Sequence, residues 1–135
     1  MKRLIYILLV AAMGAALASC DKKYDDYYGS LYYYDSYGER QCRMIESYNL
    51  NNDPGYTRND NPFVKSICVY YSGHWKVEIL DECEWAYLSK SEGTGVHYFN
   101  FCYEQNTTGE ERCAIVRLTC DNGEELDITL NQSSL

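Results

Sequence analysis

The chain has 135 residues, 46% of them hydrophobic and 15% aromatic, which is enough to close one modest core and leaves no room for two. Its formal charge is −8 at pH 7, and without residues 1–19, where Lys2 and Arg3 stand with no acid, ten basic residues face twenty acidic ones, a balance of −10. A chain this acidic is repelled by phosphate backbones and anionic head groups, so nucleic acid is excluded as an expected partner, while basic and neutral partners are not.

Lys2 and Arg3 precede an apolar run over residues 4–16, and Leu17-Ala18-Ser19-Cys20 closes it with small residues against a cysteine. Charged, apolar and cleavage regions in that order read as a secretory signal over residues 1–19. The run is shorter than the ~20 apolar residues of a membrane span. Leu-Ala-Ser-Cys also resembles the bacterial lipobox, in which the cysteine is acylated and becomes the new N-terminus. The resemblance implies that Cys20 carries the lipid and anchors the protein to a bilayer without crossing it, several acyl chains holding where one would dissociate. Asp21, Lys22, Lys23, Asp25 and Asp26 follow at once. Such a cluster resembles the surface-export signals of Bacteroides-type lipoproteins and implies an outward-facing outer-membrane protein; a periplasm-facing one stays open.

Residues 20–41 read as the lipidated cysteine and a linker. Tyr24, Tyr27, Tyr28, Tyr32, Tyr33, Tyr34 and Tyr37 stand here among Asp, Gly and Ser, with Leu31 as the one aliphatic residue between Tyr24 and Tyr37. Neither a period of two nor one of 3.6 holds, so a poorly ordered spacer is expected. The functional alternative is that exposed phenol rings stack on sugar faces or on a partner protein.

Residues 42–135 form the expected domain. Residues 42–50 read as a first edge strand, and residues 51–62 as a loop, since Asn, Asp, Gly and both prolines crowd into it. The loop has no EF-hand spacing to hold calcium. From Val64 the pattern alternates strictly: Ile67 and Val69 on one face, Ser66, Cys68 and Tyr70 on the other, with Ser72-Gly73 as a turn. Trp75, Val77 and Ile79 return. Trp85 and Leu88 come next, then a glycine-rich turn over residues 91–95. Phe99, Phe101 and Tyr103 point inward on the following strand, with Asn100 and Cys102 outward. Asn106-Thr107-Thr108-Gly109 makes a turn. Ala114, Val116 and Leu118 then point inward, and Asp121-Asn122-Gly123 is a hairpin signal before Leu126, Ile128 and Leu130. Short alternating strands at this spacing, with no helical period after residue 19, predict an all-β, immunoglobulin-like antiparallel sandwich.

Gly73-His74-Trp75, then Trp85-Ala86-Tyr87-Leu88, residues 91–95, Asn106-Thr107-Thr108-Gly109 with Arg112, and a terminal Ile128-Thr129-Leu130-Asn131-Gln132 together resemble the BACON domain. That family is an immunoglobulin-like sandwich of Bacteroidetes lipoproteins and secreted glycosidases. The resemblance covers residues 64–132 and implies carbohydrate or mucin binding. The cysteines and the polar loop over residues 51–62 depart from the family's pattern, and no binding residue is carried over by position.

Trp75 and Trp85 are expected as core residues. On parity, the outward Tyr70 and the adjacent Tyr71 and His74 at the turn are the candidate ligand contacts. His74 and His97 lack ligand spacing, so neither points to a metal or a base, and no cofactor is expected. With Cys20 lipidated, six cysteines remain: Cys42, Cys68, Cys83, Cys102, Cys113 and Cys120. An even number in an exported domain points to disulfides, of which six cysteines allow 15 pairings. Cys68 and Cys102 both point outward on strands that pair in immunoglobulin-like folds, which admits a bridge between them.

Catalysis is not expected. Asp81-Glu82 and Glu124-Glu125 are adjacent, so on a strand the two carboxylates of each pair face opposite ways and cannot flank one glycosidic bond. No nucleophile elbow, phosphate loop or metal cluster is present. The expected function is a non-catalytic surface lipoprotein that binds glycan or mucin; the alternative is a structural or interaction module that docks on a surface protein partner.

Overall fold

A computed structural model describes residues 27–53 and 63–134. The expected signal over residues 1–19, the expected lipidation site Cys20 and most of the polar loop lie outside the described residues. Among the latter the chain forms ten strands: β1 (Tyr32–Tyr34), β2 (Arg40–Cys42), β3 (Ser47–Asn49), β4 (Phe63–Val69), β5 (His74–Ile79), β6 (Ala86–Leu88), β7 (Glu92–Thr94), β8 (His97–Tyr103), β9 (Arg112–Cys120) and β10 (Glu125–Gln132). A five-stranded sheet in the order β3-β10-β9-β5-β7 and a three-stranded sheet in the order β4-β8-β6 make an all-β sandwich, and β1 with β2 forms a separate hairpin.

The alternation read from the sequence is what builds the core. On β9 and β10 the pairs Ala114 with Leu130, Val116 with Ile128 and Leu118 with Leu126 sit opposite one another, and all six side chains are buried. Adjacent residues on a strand face opposite sides, so these rows send one full face of the sheet inward. From the other sheet Ile67, Val69, Phe99, Phe101 and Tyr103 meet them. Trp75 lies between the layers, fully buried, its ring 6.2 Å from that of Phe99. Its indole nitrogen donates to the Gly95 carbonyl at 2.9 Å, which satisfies the one polar atom that burial would otherwise strand. Gly93 lets the indole in: a Cβ there would come under 3.0 Å from three indole atoms. Trp85, expected in the core, is half-buried, edge-on to Phe101 at 6.0 Å.

At the far end a buried polar knot closes the sandwich. Gln132 donates through Nε2 to the Glu104 carbonyl at 2.9 Å and accepts at Oε1 from Arg112 Nε at 2.9 Å. Asn106, also fully buried, donates to the Glu110 and Gln132 carbonyls and accepts from the backbone and hydroxyl of Thr108. Buried polar groups must be paired, and here each one pins a loop. The Asn-Thr-Thr-Gly turn, Arg112 and Gln132, which carry much of the family resemblance, are thus structural.

Four expectations are corrected. First, the sandwich is not wholly antiparallel. β3 lies inside residues 42–50 as an edge strand, but it runs parallel to β10, with Leu130 opposite Tyr48. The chain arrives there from the β1–β2 hairpin instead of turning back from β10, so no hairpin dictates the direction. Second, residues 92–94 of the expected glycine-rich turn form β7, paired with β5 around Gly93.

Third, from Tyr27 onward the expected linker is folded. Leu31 is fully buried in the core, and β1 pairs β2 through a turn in which Asp35 Oδ1 accepts from the Tyr37 and Glu39 amides, each at 2.9 Å, with Gly38 at φ +81°. One aliphatic residue sufficed, since fully burying a leucine contributes about 1.5–3 kcal/mol. Fourth, Cys68 and Cys102 are not bridged. All six described cysteines are free thiols. Cys68 lies opposite Tyr98 and Cys102 opposite Val64. They share a face but stand four residues apart along β8, roughly 13 Å at the rise of a strand. That exceeds the ~7 Å between Cα atoms that a disulfide spans.

Candidate functional site

The sequence candidates are separated by the structure. Tyr70 follows β4 and is half-buried on the outer side of the three-stranded sheet. Tyr71, one residue on, faces inward and is only 4% exposed. Its hydroxyl donates to Asp121, and burial, then that hydrogen bond, push the phenol far above its ordinary range. Tyr71 is therefore a core residue and not a surface contact. His74 is on the other sheet, held by Glu92 Oε1 at 2.8 Å from Nε2 and by Thr94 Oγ1 at 3.1 Å from Nδ1. Both ring nitrogens are already engaged. His74 meets Tyr71 only through Asp121, which accepts from the His74 amide at 3.1 Å, and it takes no part in the surroundings of Tyr70.

Tyr70 instead joins residues from the supposed linker. A cleft is lined by Tyr27, Tyr28, Tyr33, Cys42, Arg43 and Tyr70. The Tyr28 and Tyr70 rings lie 6.0 Å apart and tilted by 32°, and Tyr27 meets Tyr28 edge-on at 4.5 Å. At the centre is Arg43, its guanidinium carbon 4.8 Å from the Tyr27 ring, 5.5 Å from Tyr28 and 5.0 Å from Tyr33. Tyr27 is 60% and Tyr33 42% exposed, so two aromatic walls open to solvent while the other side rests on the sandwich.

The cleft is held by hydrogen bonds of the N-terminal segment. Arg43 donates from its amide to the Leu31 carbonyl at 2.7 Å and from Nε to the Ser30 carbonyl at 3.0 Å. Ser72 donates from its amide to the Tyr28 carbonyl at 2.9 Å, tying the segment to the loop after β4. From β10's hairpin, Glu124 accepts from Leu31 N at 2.8 Å and from Ser30 Oγ at 2.6 Å. Burial raises the Glu124 carboxyl, but the bonds from Ser30 and Leu31 outweigh it and hold the group below the ordinary glutamate range.

Two other concave surfaces differ in kind. One on the five-stranded sheet is lined by Lys76, Val77, Glu78, Ser91, Glu92, Arg117 and Thr119, without an aromatic ring, and Arg117 is paired twice with Asp127, at 2.8 and 3.0 Å. The other holds Trp85 beneath Arg112, whose carbon is 4.2 Å from the indole and whose donors serve Gln132, Glu104 and Gln105. Its charge is committed to the knot. Among the described residues no group of acids, histidines and cysteines could hold a metal ion, and no helix is long and apolar enough to cross a membrane.

Arg43 was not among the candidates, and Tyr27, Tyr28 and Tyr33 entered only as loose rings of a spacer, the functional alternative, and not as walls of a folded cleft. The signal was present in Asp35 and Gly38 between two short runs, a hairpin signature, and in Leu31 as a lone aliphatic anchor.

No family model matches the chain, and no curated protein matches it. Among solved structures it is similar to a Bacteroides ovatus GH5 xyloglucanase in complex with a XXXG heptasaccharide, with a TM-score of 0.54 and 20% identity over 67% of this chain and 18% of that one. The chain thus spans less than a fifth of that protein's length, and the likeness is one of fold.

Proposed function

We propose that the protein is a non-catalytic, lipid-anchored surface module that binds saccharide in the cleft around Tyr70. The observation that carries the reading is the convergence of Tyr27, Tyr28, Tyr33 and Tyr70 on one solvent-open cleft with a cation at its centre. A pyranose presents C–H groups on its faces and hydroxyls at its rim. Aromatic walls receive the first and a polar head the second. The glycosidase neighbour's fold and the BACON resemblance support the same ligand class, and the lipobox at Cys20 supports a bilayer anchor at the outer membrane. His74 and Tyr71 leave the candidate set, and Tyr70 stays.

A second reading, docking on a surface protein partner, is favoured by the hairpin, where Tyr34 and Tyr37 are 71% and 89% exposed beyond the cleft. Aromatic rings of this kind anchor protein interfaces. The two are separated by point variants. Deleting the segment is no test, because it would take Leu31 out of the core. Retention of the chain from residue 21 onward on immobilised glycans and mucin is expected to be competed by soluble sugar and weakened by Tyr70→Ala, with Tyr34→Ala and Tyr37→Ala silent. A folded protein that ignores every glycan, and is captured from the cell surface only while Tyr34 and Tyr37 are intact, would establish the docking reading instead.

A further inference from the structure

Arg43 narrows the ligand. Resting on the saccharide reading of the cleft, we propose that the site selects an acidic saccharide, a sugar ring bearing a carboxylate or sulfate, with the ring against the tyrosines and the oxyanion on the Arg43 guanidinium.

Among the described residues Arg43 is a cation without an anion. Arg117 is paired with Asp127 and His74 with Glu92, yet among the described residues no carboxylate comes within salt-bridge distance of Arg43. What sets Arg43 apart from the other cations is its place, as the one basic residue that lines the aromatic cleft. Glu124, the acid that organises this segment, has one oxygen on Leu31 N and the other on Ser30 Oγ. Of the five N–H donors of the guanidinium, Nε serves the Ser30 carbonyl, and among the described residues the terminal nitrogens have no protein acceptor. The rings of Tyr27, Tyr28 and Tyr33 balance part of the charge but offer the terminal N–H groups no carboxylate or carbonyl oxygen. A guanidinium presents a planar fork that matches carboxylate or sulfate through two parallel hydrogen bonds.

The charge of the whole molecule does not cancel this. At physiological salt the Debye length is about 8 Å, so surface acids farther off are screened, whereas a contact inside a half-closed cleft is screened much less. The same net charge makes the proposal selective, because an acidic protein does not collect polyanions indiscriminately.

The test titrates the chain from residue 21 onward, which contains every described residue, with polygalacturonate, carboxyl-reduced polygalacturonate, dextran sulfate and dextran. Polygalacturonate or dextran sulfate is expected to bind at least about tenfold tighter than its neutral counterpart, as suits a charge-assisted bidentate contact. Whichever of the two wins tells carboxylate from sulfate. Arg43→Gln is expected to abolish the preference, read as the ratio of charged to neutral affinity falling to near one, whatever it does to the binding that both polymers share. Should Arg43→Gln lose its near-ultraviolet dichroism, Arg43→Lys decides: it keeps the charge and loses the fork, and is expected to lower the preference about tenfold. Equal binding of charged and neutral polymers, or a preference that survives both substitutions, overturns the acidic specificity and leaves the saccharide reading standing. A folded protein that binds none of the four overturns both.

Discussion

Replacing Tyr71 with phenylalanine removes a hydroxyl that donates to Asp121 while keeping the buried ring, and is expected to cost about 1 kcal/mol in chemical denaturation. Glycan retention should not change. Tyr70→Ala is expected to do the reverse, leaving the denaturation midpoint nearly in place and weakening retention several-fold, since an aromatic contact contributes about 0.5–1.5 kcal/mol. The two residues are chemically identical and adjacent; only the side of the strand that each faces separates them. Parity gave that side for Tyr70. For Tyr71 it was set aside, because a turn was expected close by; β4 ends at Val69, yet Tyr71 still turns its ring into the core.

At the scale of elements, the N-terminal segment from Tyr27 to Arg43 decides whether there is a site at all. Leu31 is its only aliphatic anchor, and Leu31→Ala is expected to cost about 2–5 kcal/mol and to abolish glycan retention with it. Differential scanning calorimetry of the variant checks the first, and the glycan panel the second. Glu124 adds a pH dependence. Its carboxyl is held below the ordinary range in the folded chain, so its contribution is complete above the unfolded value and is lost as pH falls through the lowered folded value. The protection factor of the Leu31 amide, its exchange relative to the intrinsic rate at each pH, is therefore expected to fall in acid, and Glu124→Gln to show the lower protection already at neutral pH. Exchange that is unchanged by the substitution would remove Glu124 from the account. None of this was legible in the tyrosine-rich stretch by periodicity, because β1 and β2 are three residues each and too short to show a period. The long strands β9 and β10 were legible almost residue by residue; on β8 Phe99, Phe101 and Tyr103 face the core as read, but Cys102, read as outward, is buried as well.

For the whole molecule, sequence established the sandwich, because its core rows are local patterns, but not the partners of its cysteines, because register is a property of two strands at once. The expectation of export implied bridges among six cysteines; in the fold they are separate thiols, five on strands and Cys83 between β5 and β6. Burial pushes Cys120 up to about 12 and raises Cys42 and Cys83, which keeps these three protonated and slow to oxidise. Alkylation under denaturing, non-reducing conditions is expected to label all six, and any disulfide-linked peptide in the digest would contradict the fold's register. The site resisted sequence reading for a related reason. Arg43 and Tyr70 are brought together only by the way the first hairpin closes over the end of β4.

The most direct measurement is a glycan-array titration of the chain from residue 21 onward beside its Tyr70→Ala and Tyr27→Ala variants. The account predicts saturable binding to a restricted set of saccharides, competed by the free sugar and reduced several-fold in each variant while the fold is retained. Saturable binding that neither variant alters would place the ligand elsewhere on the sandwich, and a folded wild-type chain that binds no saccharide would contradict the proposed function.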